Sequence, residues 1–169
     1  MALGTMNHLA LTLRNLRVSE ASFYAPVLEY LGYAKVEDSP EMTLWFSNAS
    51  FCSINLWQAK PDLAGVTHQR YAPGFHHFAF NADSRQEVDG LYKLLRKISA
   101  TVIDEPSEYE YVRGYYAVFF ADPDGMKFEL VPIPPEAFAE WEDGRGHDHL
   151  RRTAMPHQLP LPARGVASA

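Results

Sequence analysis

One short pattern occurs twice in this chain, and that repetition constrains the fold more than any other feature. His8-Leu9-Ala10 opens an alternating stretch, and His77-Phe78-Ala79 opens another, 69 positions later (77 − 8). Phe46 stands nine residues before Asn55 and Phe120 stands nine before Glu129, at a shared offset of 74 (120 − 46 and 129 − 55). The second copy thus carries five extra residues (74 − 69) between its histidine and its closing hairpin. Such self-similarity predicts a duplicated supersecondary unit, here β-α-β-β-β, over about 7–59 and 75–133. Residues 60–74, with two prolines, two glycines and no sustained period, read as the linker. A single domain is expected over 1–134, with 135–169 as an extension outside the repeat.

The elements follow from periodicity and punctuation. Residues 7–14 alternate, with Leu9, Leu11 and Leu13 on one face and His8, Ala10 and Thr12 on the other. Ser19 suits an N-cap for a helix running to about Leu31, kinked by Pro26 and ended at Gly32. Strands are expected over 33–38, 42–47 and 51–58. In the second copy a strand over 75–81 precedes the capping box Ser84-Arg85-Gln86-Glu87. A helix then carries the stripe Val88, Leu91, Leu95 and Ile98, and a short strand follows over 101–104. The closing hairpin, GYYAVFFADPDGMKFELV over 114–131, turns at Asp122-Pro123-Asp124-Gly125. In its second strand Met126, Phe128 and Leu130 share one face, and Lys127, Glu129 and Val131 the other. Glu129 is then a mid-strand carboxylate among large apolar residues, which must be paired, protonated or metal-bound if buried.

Composition removes several classes. A hydrophobic fraction of 47% over 169 residues is enough for one real core. A net charge of −6 without a basic cluster argues against a nucleic-acid surface. No apolar run approaches membrane-spanning length and the N-terminus lacks a signal-peptide pattern, so no membrane partner and a soluble, cytoplasmic protein are expected. Cys52 is the sole cysteine, which excludes an intrachain disulfide or a thiolate cluster.

Paired modules of this order, a strand-initial histidine in each, and the closing Asp-Pro-Asp-Gly-x-x-x-Glu hairpin resemble the vicinal oxygen chelate superfamily. Its members include glyoxalase I, fosfomycin-resistance proteins, bleomycin-binding proteins, extradiol dioxygenases and methylmalonyl-CoA epimerase. The resemblance covers residue 7 to about 133, and GFHHFAF with the closing hairpin is similar to a small single-domain branch. It implies an α+β fold in which two βαβββ modules form a U-shaped mixed sheet around a metal cavity, helices outside. It also implies the ligand set His8, His77 and Glu129, a divalent metal (Zn, Mn, Ni or Fe), a small-molecule ligand and a homodimer. The strand pattern agrees, since all three residues lie opposite the large apolar side chains, whereas His76 points to the other face. Two imidazoles and a carboxylate with open positions suit these metals without choosing among them.

Departures from the named members narrow the chemistry. Glyoxalase I supplies a glutamate where this chain has Asn55, and an amide is a weaker ligand and a poor base. Extradiol dioxygenases and fosfomycin-resistance proteins carry a tyrosine ten residues before the glutamate, where this chain has Phe119. No general base can be assigned. The expected pocket is apolar and aromatic: Asn55 and Trp57 from the first module, Trp45 as the counterpart of Phe119, and from the second Tyr115, Ala117 and Phe119, the face the resemblance implies, with Tyr116 and Val118 in their place if the turn differs in length. Arg113 and Tyr111 stand at its rim. Three readings follow: a metal-dependent enzyme of lyase, isomerase or dioxygenase type, a metal-free binder of an aromatic drug or metabolite, and an interaction module that has lost its site. The last would pair Glu129 with Lys127 or an arginine. In the extension a short helix over 135–143 anchored by Phe138 and Trp141 is expected, and His147 and His149 read as solvated.

Overall fold

The computed structural model describes residues 3–111 and 113–132. The expectations for 135–169 lie outside the described residues. The first module runs β1 (His8–Leu13), α1 (Leu16–Ser19), a π-helical turn (Glu20–Tyr24), α2 (Ala25–Tyr30), β2 (Ala34–Asp38), β3 (Met42–Ser47) and β4 (Cys52–Gln58). The second runs β5 (Phe78–Asn81), α3 (Arg85–Lys97), β6 (Thr101–Glu108), β7 (Tyr116–Ala121) and β8 (Lys127–Val131). Each forms a four-stranded mixed sheet, ordered β1-β4-β3-β2 and β5-β8-β7-β6. First and last strands pair parallel, the others antiparallel. The duplication reaches the level of register: Ala10 pairs with Asn55, and Ala79 pairs with Glu129.

Local chemistry explains where the elements begin and bend. The first helix starts four residues earlier than expected, because the Asn15 side chain caps it by accepting from the Val18 N–H at 3.1 Å, leaving Ser19 inside the helical stretch. Pro26 lacks an N–H and its ring crowds the preceding turn. The chain answers by widening to the π turn just before α2, where the Ala25 N–H donates to the Glu20 carbonyl. Ser84 caps α3 by accepting from the Glu87 N–H at 3.3 Å, while Glu87 reaches past it to accept from the Asp83 N–H at 2.6 Å. Gly90 is required by close approach: a Cβ there would collide with the Tyr30 hydroxyl, which donates to the Glu87 carbonyl at 2.6 Å. Strand β6 is longer than expected: Pro106 is tolerated on an edge strand, in the irregular stretch between Asp104 and Ser107 where the pairing with β7 shifts register.

The apolar faces of both sheets and the three helices share one core. Phe23 and Tyr24 from the π turn pack with Phe120 and Phe128 of the second module at centroid distances of 6.1–6.3 Å, alongside Leu13, Ile54 and Leu56 of the first. Polar bonds seal the same junction. The Tyr24 hydroxyl donates to Asp122 at 2.7 Å, and Arg14 pairs with Asp124 at 2.6 Å. The consequence for function is directional. Each sheet turns its apolar face inward to the common core, so the opposite faces, carrying His8 and Asn55 on one module and Glu129 on the other, point outward. Tyr24→Phe should cost about 1–3 kcal/mol in urea unfolding, since it leaves a buried carboxylate oxygen without its donor. No helix among the described residues is long and apolar enough to cross a membrane.

Candidate metal and substrate site

Glu129 is the centre of the second module's outer face. It is 2% exposed, fixed by its parallel pairing with Ala79 and its antiparallel pairing with Phe119. The Tyr115 hydroxyl donates to Glu129 Oε1, and His77 Nε2 lies 3.7 Å from Oε2. His77, immediately before β5, is held from behind by His76, their Nδ1 atoms 2.7 Å apart. Burial pushes the Glu129 carboxyl above its ordinary range, against the pull of Tyr115 and Lys127. Burial, followed by the charge of Lys127, lowers His77 below 6.5, so at neutral pH it is the uncharged imidazole that a metal requires. The two groups therefore meet as ligand-like neighbours rather than as a charged pair.

An aromatic wall closes over them. Tyr115 meets Tyr109 and Tyr111 edge-on at 6.3 and 5.1 Å, and Tyr109 meets Phe119 edge-on at 5.2 Å. Ala117, Phe119 and Val131 form the buried floor. Burial and the nearby Asp104 push the Tyr109 hydroxyl up to about 12, and burial pushes Tyr115 still further, so both remain hydrogen-bond donors. Tyr115, Ala117 and Phe119 thus share the Glu129 face, and Arg113 is exposed. Tyr109, Arg70 and Tyr71 were not expected here, whereas Lys127 takes the face expected for it. The two-residue spacing of Tyr109 and Tyr111 could have signalled a shared strand face. Nothing in the linker's composition marked Arg70.

The first module presents the matching face. His8 opens β1, exposed, with Nδ1 2.9 Å from the Asn7 side-chain oxygen. Asn55 accepts from the Ser53 hydroxyl at 3.1 Å, and Trp57, 43% exposed, lies on the same face. The structure brings His77 and Glu129 together and places His8 on the other module. Among the described residues no cluster of three or more His, Cys, Asp or Glu side chains is gathered for a metal.

Trp45 is corrected. It is 2% exposed on the inner face, donating its indole N–H to Glu20 at 2.9 Å, and Leu44 is the residue paired with Asn55. The cause is loop length. The β3–β4 connection has four residues (48–51) and the β7–β8 connection five (122–126), which shifts the cross-strand partner by one and exchanges faces. Trp45→Phe should cost about 1–3 kcal/mol on chemical denaturation by removing the donor to the buried Glu20 Oε1, while Oε2 keeps Arg17 and Lys35 within 3.6 Å, without changing metal content.

The ion pair expected of a dead site does not form. Lys127 Nζ lies 3.8 Å from the Phe119 ring centroid, and among the described residues no lysine or arginine forms a salt bridge with Glu129. A cavity of about 660 Å³ lies elsewhere, between the modules, lined by Tyr30, Tyr33, Cys52, Phe80 and Glu87, and takes in neither His77 nor Glu129.

Comparison with known proteins agrees with this architecture. The chain is 31% identical over 127 residues (75% of this chain, 97% of the relative) to the uncharacterized protein YqjT of Bacillus subtilis. It is 27% identical over 125 residues (74% of this chain, 73% of the relative) to the metallothiol transferase FosB of Bacillus licheniformis. The crystal structure of a glyoxylase/bleomycin resistance protein/dioxygenase domain from Frankia sp. EAN1pec superposes with a TM-score of 0.64 at 20% identity, covering 79% of this chain and 100% of that one. The family model of this superfamily matches residues 5–130. The chain belongs to the glyoxalase/bleomycin resistance protein/dioxygenase superfamily.

Proposed function

We propose that the chain is a divalent-metal-dependent enzyme acting on a small, oxygen-bearing, hydrophobic or aromatic substrate. His77 and Glu129 of one copy and His8 of a second copy hold the metal in a homodimer. The observation that carries this reading is Glu129, a buried carboxylate beside a neutral imidazole with no lysine or arginine salt bridge. The donor set, one carboxylate and two imidazoles, fits Zn²⁺, Mn²⁺, Ni²⁺ or Fe²⁺. The need for a second copy comes from the shared core: a chain's own outer faces point apart, and joining them would tear Phe23 and Tyr24 from Phe120 and Phe128. β1 and β5 are each paired on one side only, which leaves two sheet edges for the second copy to meet.

When bound, the metal supplies Lewis-acid polarisation of a carbonyl or enolate oxygen. The chain supplies the rest. Tyr115 fixes the orientation of the Glu129 carboxylate, His76 fixes the His77 ring, and the Tyr109, Tyr111 and Phe119 wall excludes water and lies flat against an apolar ligand. The name of the FosB relative, a metallothiol transferase, is in keeping with metal chemistry on this fold.

A second reading, a metal-free binder that sequesters an aromatic drug or metabolite, draws support from Tyr115, whose hydroxyl already satisfies Glu129. Elemental analysis of protein purified without a metal-affinity tag separates the two. About one metal per chain is expected, and a stable absence of metal after dialysis against metal-replete buffer would select the binder.

A further inference from the structure

We propose that the segment after β8, residues 133–169, turns back on its own chain and seats Phe138 and Trp141 in the cavity between the modules. Docking there does not depend on a metal at Glu129. The starting point is a core that stops short. Phe120 stacks on Phe128 at 5.9 Å, Phe128 on Phe80 at 6.2 Å, and Phe80 meets Phe78 edge-on at 4.9 Å. The first two rings are buried, whereas Phe78 and Phe80 are only half-buried. The row of rings thus runs out of the core into the cavity of about 660 Å³ that Phe78 and Phe80 line.

The walls of that cavity are already in place. The Tyr30 hydroxyl donates to the Glu87 carbonyl at 2.6 Å, the Glu87 carboxylate accepts from the Asp83 N–H at 2.6 Å, and Tyr33 closes edge-on against Phe80 at 6.4 Å. Met6 and Tyr30 leave apolar surface exposed at the rim. Asp83 and Glu87 bring negative charge to the lining, and among the described residues no lysine, arginine or histidine joins them. An anionic metabolite finds no cation there, whereas a neutral aromatic body extends the row of rings.

The chain brings such a body to the opening. Strand β8 ends at Val131, which pairs with Asn81 and accepts from the Ala82 N–H at 3.0 Å. Asn81 and Ala82 line the cavity, so the chain leaves the sheet at its mouth. Pro132, Pro134 and Pro135 lack the N–H that would carry the ladder past β8. The family match stops at residue 130, and 37 residues follow Pro132 (169 − 132). With residues 133–134 extended and a helix thereafter, Phe138 and Trp141 fall within about 20 Å of Pro132. The helix expected over 135–143 sets these two rings on one face, with Glu136, Glu140 and Asp143 on the other. A tether this short holds the rings at an effective concentration on the order of millimolar, which a free ligand or a second copy has to match. The rings enter beside Phe78 and Phe80 on the inner face and leave the β5 edge to the second copy.

Trp141 reports on its own position. In the full-length protein, the emission of wild type minus that of Trp141→Phe isolates it from Trp45 and Trp57. Blue-shifted emission, shielded from acrylamide, is expected. Ala49→Arg, on the exposed β3–β4 turn that lines the cavity, should shift that emission to the red and leave the far-ultraviolet spectrum unchanged. Crosslinking tells whose cavity is filled. With Cys52→Ala removing the native thiol, Ala49→Cys and Glu142→Cys are joined by a short bis-maleimide. A link within one chain should form about tenfold faster or more than when Asp62→Cys, exposed in the linker, replaces Ala49→Cys. Trp141 emitting as it does in water, or unmoved by Ala49→Arg, would overturn the proposal. Equal crosslinking rates at the two positions would do so too, and a link between two chains would give the cavity to a second copy instead.

Discussion

Glu129→Gln should reduce bound metal from about one per chain to near zero while the far-ultraviolet spectrum stays that of wild type. The substitution conserves volume and keeps an oxygen for the Tyr115 hydroxyl, so the aromatic wall has no reason to rearrange. What it removes is the anionic donor, and with it the Lewis acid, so turnover should fall to background. Its effect on the metal-free fold has the opposite sign. The folded-state pKa of Glu129 is raised by burial, so the wild-type carboxyl contributes fully below the unfolded-state value of 4.5 and loses that contribution as pH rises through the folded value. Glutamine does not titrate. Metal-free Glu129→Gln should therefore melt above metal-free wild type at neutral pH, by about 2–4 °C for each kcal/mol relieved, and the gap should close below about pH 4. A lower midpoint at neutral pH would mean that the carboxylate is stabilised by partners other than those described.

Phe120→Ala should cost about 3–5 kcal/mol, a large share of the stability of a domain this size. Phe120 is fully buried where the modules meet, 6.1 Å from the Phe23 ring and 5.9 Å from the Phe128 ring. Removing it opens a void that the two stiff sheets cannot close. Urea unfolding should show the midpoint shifting down with the slope unchanged. A loss below about 1 kcal/mol would mean that the modules do not share one core.

Much of this was legible in the sequence because alternation reports faces directly. The reading that put Lys127, Glu129 and Val131 opposite Phe128 and Leu130 needed only the period of a strand, whereas the pairing of Ala79 with Glu129 came only from the structure. Face assignment failed where it depended on a turn. Trp45 was placed by an offset that assumed equal loops, and one residue of difference moved it into the core. The first helix was misplaced because Asn15 and Ser19 are equally good caps by residue type, and tertiary packing of Leu16 in the core decided between them. Which ligands meet was not readable at all. Periodicity says that His8 lies opposite the apolar side of β1; it is silent on where the shared core aims that face relative to Glu129.

That last point is the centre of the account, and metal content of mixed variants tests it most directly. His8→Ala and Glu129→Gln should each hold no metal alone. In a dimer of one with the other, the His8 of the glutamine chain faces the intact His77 and Glu129 of the alanine chain, so one complete site returns. Equal co-expression should therefore recover about one metal per four chains. A mixture as empty as its parents, beside a wild type that holds its full complement, would place all three ligands within one chain and contradict the account.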